Sequence, residues 1–141
     1  MINRRGLLAL PVLAMPIVAR AETFPSRPIT LASGYAPGGS TDVAARLVGD
    51  RMQSFLGPDA RIVVENRPGA AGRIASDWLR RQPADGYTLM LTESSSHGLL
   101  PHALRRGTPY DPVADFTHVA MVATTPYVVI TRNDFPVRNA Q

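Results

Sequence analysis

Residues 34–52, GYAPGGSTDVAARLVGDRM, set a tight Gly- and Pro-rich turn directly ahead of a helical pattern. Gly34 and Tyr35 end a short apolar run, Ala36-Pro37-Gly38-Gly39 makes the turn, and Ser40, Thr41 and Asp42 stand where a helix N-cap belongs. Strand, loop and helix in that order are the first half of a β-α-β unit. The same arrangement turns unpaired backbone N–H groups and the positive end of a helix towards whatever fills the turn, which favours an anion.

Outward from this stretch the hydrophobic period keeps alternating. Residues 29–35 (ITLASGY) read as a buried strand. Val43, Ala44, Leu47, Val48, Met52 and Phe55 recur at helical spacing, and Gly57-Pro58 ends that helix. Residues 61–66 (RIVVEN) are a second strand, closed by Pro68-Gly69, and residues 72–82 a second helix with Ile74, Trp78 and Leu79 on its apolar side. After the turn Pro83-Ala84-Asp85-Gly86, residues 87–92 (YTLMLT) are a third strand, followed by a Ser-rich loop and a short helix at residues 98–105. The resulting βαβαβ order predicts an α/β fold, a parallel sheet flanked by helices on both faces. Residues 116–137 (FTHVAMVATTPYVVITRNDFPV) read as two further apolar strands around Thr124-Thr125-Pro126.

In open sheets of this kind ligands sit beyond the carboxyl ends of the strands, near a switch in strand order. Three loops gather there, at residues 36–42, 66–72 and 92–97, and all three are rich in Gly, Ser, Thr or Asn. Gly38 and Gly39 let a ligand approach the backbone closely. Asp42 reads as a helix cap, because its carboxylate competes with an anion for the same N–H groups.

The first 21 residues form an export signal. Asn3-Arg4-Arg5 is a positive start, residues 6–18 are mostly apolar, and Ala19-Arg20-Ala21 fits the cleavage pattern, so the mature chain begins at Glu22. The apolar run carries Pro11 and Pro16 and is too short for a comfortable membrane span. Of 15 basic residues every one is Arg; setting aside Arg4, Arg5 and Arg20 leaves 12 against 11 carboxylates. With no basic block and no interleaved aromatics, the chain has no nucleic-acid footprint. It has no cysteine, which excludes a disulfide framework and a Cys-based nucleophile or metal site.

Several enzyme signatures fail on the residues. The absence of Lys excludes a P-loop and a Schiff-base lysine. GYAPGG is not a dinucleotide fingerprint, and Ser40 in GGSTD is not a hydrolase elbow. His97 and His102 are badly spaced for a metal pair, with His118 remote, so no metal and no cofactor is expected. Ser94, Ser95, Ser96 and His97 are the one cluster that suggests nucleophilic catalysis, but sequence neighbours on a loop rarely provide triad geometry. They read equally as a polar loop or as hydrogen-bonding groups for a ligand.

The segments FPSRPITLASGYAPGGSTDVAARLVGDRM, VVENRPGAAGRIASDWL, ADGYTLML and PYDPVADFTHVAMVATTPYVVI together resemble the Bug-type solute receptors of tripartite tricarboxylate transporters. The likeness runs in order over residues 24–137. It implies a two-lobed periplasmic-binding-protein fold of the second type, in a protein roughly twice this length. It also implies export to the periplasm, binding of a small carboxylate (a di- or tricarboxylate or an amino acid), and delivery to membrane permease subunits. By the same resemblance, the ligand-binding residues are Tyr35, Ala36, Gly38, Gly39, Ser40, Thr41 and Asp42, with Ser94, Ser95, Ser96 and His97 bordering the cleft. Leu100, Ala71 and Arg73 depart from the family's common Asn, Gly and Asn.

The expected organisation is a signal at residues 1–21, the N-terminal part of lobe 1 at residues 22–118, and crossover strands towards a second lobe at residues 119–141. On this reading the chain is a fragment or a truncated gene product. Rival readings are a hydrolase-like enzyme fragment using Ser96 or His97, and a receptor that no longer functions.

Overall fold

The computed structural model describes residues 23–126 and 128–134, so the export signal lies outside the described residues. Strands β1 (Ile29–Ser33), β2 (Ile62–Asn66) and β3 (Thr88–Leu91) form one parallel sheet in the order β2-β1-β3. Ile29 and Leu31 pair with Ile62 and Val64 on one side of β1, and Thr30 and Ala32 pair with Thr88 and Met90 on the other. The central strand is therefore apolar and buried, with Ile29, Leu31, Ala32 and Ser33 all inside. A strand covered on both faces has no polar side.

Helix α1 (Ser40–Leu56) joins β1 to β2, and α2 (Arg73–Leu79) joins β2 to β3. Gly49 of α1 lies against Ile62 and Val64, whereas Gly34 lies against Met90 and Ala75 of α2. Because side chains alternate along a strand, α1 covers one face of the sheet and α2 the other. The chain thus leaves β1 for one edge and returns to pair on its other side. That reversal of order puts a crevice at the carboxyl end of β1.

The inward face of α1 differs from the one the large apolar residues suggest. Thr41, Asp42, Ala45 and Gly49 are buried, whereas Val43, Leu47 and Phe55 are exposed, Phe55 at 88%. The close approach decides this: a Cβ on Gly49 would sit 3.1 Å from Ile62 Cγ2, so small residues face the sheet. In α2 likewise Ala75 and Ser76 are buried and Ile74 is exposed. Trp78 is half-buried, with the Arg67 guanidinium 3.9 Å from its ring centroid. The helix ends at Leu79, and residues 80–82 continue as single turns through Arg81 N–H to Trp78 O and Gln82 N–H to Leu79 O.

A π-helical turn (Ser95–Leu99) leads into the short helix α3 (Leu100–Ala103). Beyond it Tyr110 is buried and donates its hydroxyl to Ser96 O at 2.7 Å, which fastens the following loop beneath the third crevice segment. The two strands expected around residues 124–126 are not formed among the described residues. Val119, Met121, Val128, Val129 and Ile130 stay exposed there. Strand propensity needs a partner edge and a surface to cover, and this stretch pairs with neither open edge of the described sheet.

Candidate functional site

The loop between β1 and α1 is built around one carboxylate. Helix α1 starts at Ser40 with Gly39 as its N-cap, one to three residues earlier than the side chains of Ser40, Thr41 and Asp42 suggest. Gly39 has no side chain to cap with, and the first helical bond is Val43 N–H to Gly39 O at 3.0 Å. The N–H groups of Ser40, Thr41 and Asp42 therefore have no acceptor within the helix.

Asp42, only 3% exposed, reaches back instead of outward. Its Oδ2 accepts Gly38 N–H at 2.9 Å and Arg46 Nε at 3.0 Å, and its Oδ1 accepts Arg46 Nη2 at 3.0 Å and Asn66 Nδ2 at 2.9 Å. Asn66 also donates to Tyr35 O at 3.0 Å, so the end of β2 is tied to the same loop. The Arg46 hydrogen bonds, then those from Gly38 and Asn66, hold the Asp42 carboxyl down at about 2. Both its oxygens are occupied. Asp42 thus latches the turn that precedes α1; it does not cap the helix, whose N-cap is Gly39 and which has no side-chain cap.

The loop after β3 closes the crevice from the other side. Tyr35 and Ser95 share a hydrogen bond of 2.5 Å between hydroxyls, and the Thr41 hydroxyl donates to Glu93 Oε1. These contacts bring Tyr35, Thr41, Glu93 and Ser95 together at one mouth. Ser94 is exposed beside them. Ser96 is not part of that surface: it is fully buried, with its Oγ 2.6 Å from Thr92 Oγ1 and 3.0 Å from His97 Nδ1. Its hydroxyl is enclosed by its own loop.

His97 is half-buried and packs against Tyr110, Phe116 and His118 at ring-centroid distances of 5.6, 5.0 and 6.4 Å. Burial first, and the neighbouring His118 second, lower its basicity below the usual imidazole value. The Ser96–His97 contact has the distance of a nucleophile–base pair, but Ser96 faces no solvent. Among the described residues no carboxylate bonds to His97 to orient it. Nor do three His, Cys, Asp or Glu side chains converge among the described residues.

The loop after β2 has an unusual backbone. Gly69, Ala70, Ala71 and Gly72 have consecutive positive φ values of 137°, 48°, 51° and 84°. The left-handed turn brings Gly72 under Gly34 and next to Ser96, and Tyr35 Oη donates weakly to Ala71 O at 3.5 Å. Two alanines in this region carry strain that glycines would not. Asn66, the last residue of β2, and Glu93, two residues past β3, help form the site; sequence reading placed them only within the loops at residues 66–72 and 92–97 and gave neither a role.

Residues 44–141 match TctC, the tripartite tricarboxylate transporter family receptor. The chain belongs to this receptor family. It is 40% identical over 124 residues to protein BugT of Bordetella pertussis, covering 88% of this chain and 37% of that relative. Its fold is similar to a solved periplasmic transporter (TM-score 0.60, 42% identity, 64% of this chain and 29% of the other). It is also similar to MatC from Rhodopseudomonas palustris with bound malate (TM-score 0.63, 35% identity, 70% of this chain and 33% of the other). The chain spans well under half the length of these relatives, and its α/β fold is that of their periplasmic-binding-protein class.

Proposed function

We propose that this chain is part of a periplasmic receptor that binds a small carboxylate for a tripartite tricarboxylate-type uptake system and hands it to membrane permease subunits. The single observation that carries the reading is the start of α1. The N–H groups of Ser40, Thr41 and Asp42 lack helical acceptors: the Asp42 carboxylate is taken up by Gly38, Arg46 and Asn66, and the Glu93 carboxylate meets the Thr41 hydroxyl instead of an amide. That leaves the positive end of a 17-residue helix open to a second anion, with Gly38 and Gly39 leaving the backbone uncovered.

Tyr35, Ala36, Gly38, Gly39, Ser40, Thr41, Ser94 and Ser95 are the proposed ligand-facing set, and Asp42, Ser96 and His97 the frame behind them. Residues 22–118 are proposed as the N-terminal part of one lobe and residues 119–141 as the connection towards a second. The malate bound by the MatC structure is in keeping with a carboxylate at such a site. Calorimetric titration of the full chain with malate and with its neutral diamide tests the reading. Heat with the acid and none with the amide supports it; equal responses, or none to either, oppose it.

A further inference from the structure

We propose that Glu93 makes this site selective for carboxylates that also carry an ammonium group, over simple dicarboxylates. The inference rests on the carboxylate site at the start of α1 proposed above.

Glu93 lies two residues beyond the end of β3, the strand that pairs with β1 on the side away from β2. From there its side chain crosses the crevice to the first turn of α1, where Oε1 accepts the Thr41 hydroxyl. The side chain is half-buried, and its other oxygen has no hydrogen bond or ion pair with any described residue. A neutral hydroxyl is thus the partner of a full negative charge.

The contrast with Asp42 matters. Asp42 stands on the same turn of the same helix, but its charge is matched by a two-pronged Arg46 contact. Arg46 is committed there, and no described arginine pairs with Glu93. The remaining side chains at the mouth, Tyr35, Ser40, Ser94 and Ser95, are uncharged donors and acceptors. A ligand carboxylate on the α1 amides therefore has a fixed, unmatched carboxylate beside it. A second ligand carboxylate facing Glu93 meets repulsion in a partly desolvated place, while an ammonium there gains attraction and a charge-assisted hydrogen bond to the open oxygen.

Aspartate and succinate test this, since they share a carbon skeleton and differ by one ammonium. The full chain, 15N-labelled, is titrated with each while the Ser40 and Thr41 amide resonances are followed. Aspartate is expected to bind at least about tenfold more tightly than succinate, from one charge pair in a partly screened site. Glu93→Gln keeps an oxygen for the Thr41 hydroxyl and is expected to remove or invert that preference. Glu93→Asp, which keeps the charge, is expected to retain it. Equal affinities in the parent chain, or a preference that survives Glu93→Gln, would overturn the proposal. If neither ligand shifts the Ser40 and Thr41 amides in any of the three chains, the carboxylate site itself is wrong, and that outcome is distinct from a lost preference.

Discussion

The Asp42 carboxylate accepts the Gly38 amide at 2.9 Å, so a side chain on the first turn of α1 holds the turn that precedes it. Asn66, from the end of β2, joins the same oxygen cluster at 2.9 Å. Three segments thus meet on one charge at the glycine loop. Asn66→Ala leaves Tyr35 O and one Asp42 lone pair unmet and is expected to destabilise the fold by about 1–3 kcal/mol, measured by urea unfolding.

The same carboxylate sets an acid limb. Its pKa falls from 3.8 to about 2 on folding, so the folded state favours the charged form. The stability this confers is present above the unfolded value and is lost as pH falls from about 4 through about 2. Unfolding midpoints collected across that range should decline more steeply for the parent than for Asp42→Asn, which has no proton to take up. Parallel curves would show that the latch carries no charge-dependent stability.

Ala71 sits at φ 51°, in the left-handed region that Gly occupies without strain. Relieving a left-handed alanine should outweigh the added freedom of the unfolded chain. Ala71→Gly is therefore expected to stabilise by about 0.5–1.5 kcal/mol. A loss of stability in denaturant would mean the turn is held in some other conformation.

Gly34 is a packing glycine. A Cβ there would lie 2.8 Å from Gly72 Cα, backbone against backbone, with Met90 Cε at 3.3 Å. Gly34→Ala should push the turn after β2 away from β1 and lower stability by about 1–3 kcal/mol. An unchanged thermal midpoint would contradict the contact.

Ser96→Ala tests whether the buried serine of the Ser-rich loop supports the fold. Removing the Oγ takes a partner from Thr92 and His97 inside the protein, so a loss of about 1–3 kcal/mol is expected in urea. A purely ligand-facing serine would leave unfolding unaffected.

The sheet and its helices were legible because apolar runs, helical spacing and Gly-Pro breaks each repeat in local order. The faces of the helices were not. Val43, Leu47 and Phe55 form a convincing stripe, yet the sheet takes Ala45 and Gly49, since only small residues permit the approach to Ile62. Trp78 reads as core but lies half-buried beneath Arg67, a contact that joins two elements and has no local pattern. The site shows the same division. Gly38, Gly39 and the helix start were visible as a motif. Asn66 and Glu93 reach α1 from 24 and 52 residues away, and no periodicity announces such pairings.

A carboxylate held at the start of α1 has to pass Gly39, and Gly39→Val blocks that passage. At Gly39 φ is −75°, and an added Cβ meets only Ala36 O at 3.4 Å, so the backbone tolerates a side chain while the approach to the Ser40 and Thr41 amides is obstructed. The measurement is titration of the parent and Gly39→Val chains with aspartate and malate, followed at the amides of residues 38–41. Saturable shifts are expected in the parent, and their loss in a Gly39→Val chain that unfolds at the parent's midpoint. Undiminished binding by a folded Gly39→Val chain would contradict a carboxylate site at the start of α1.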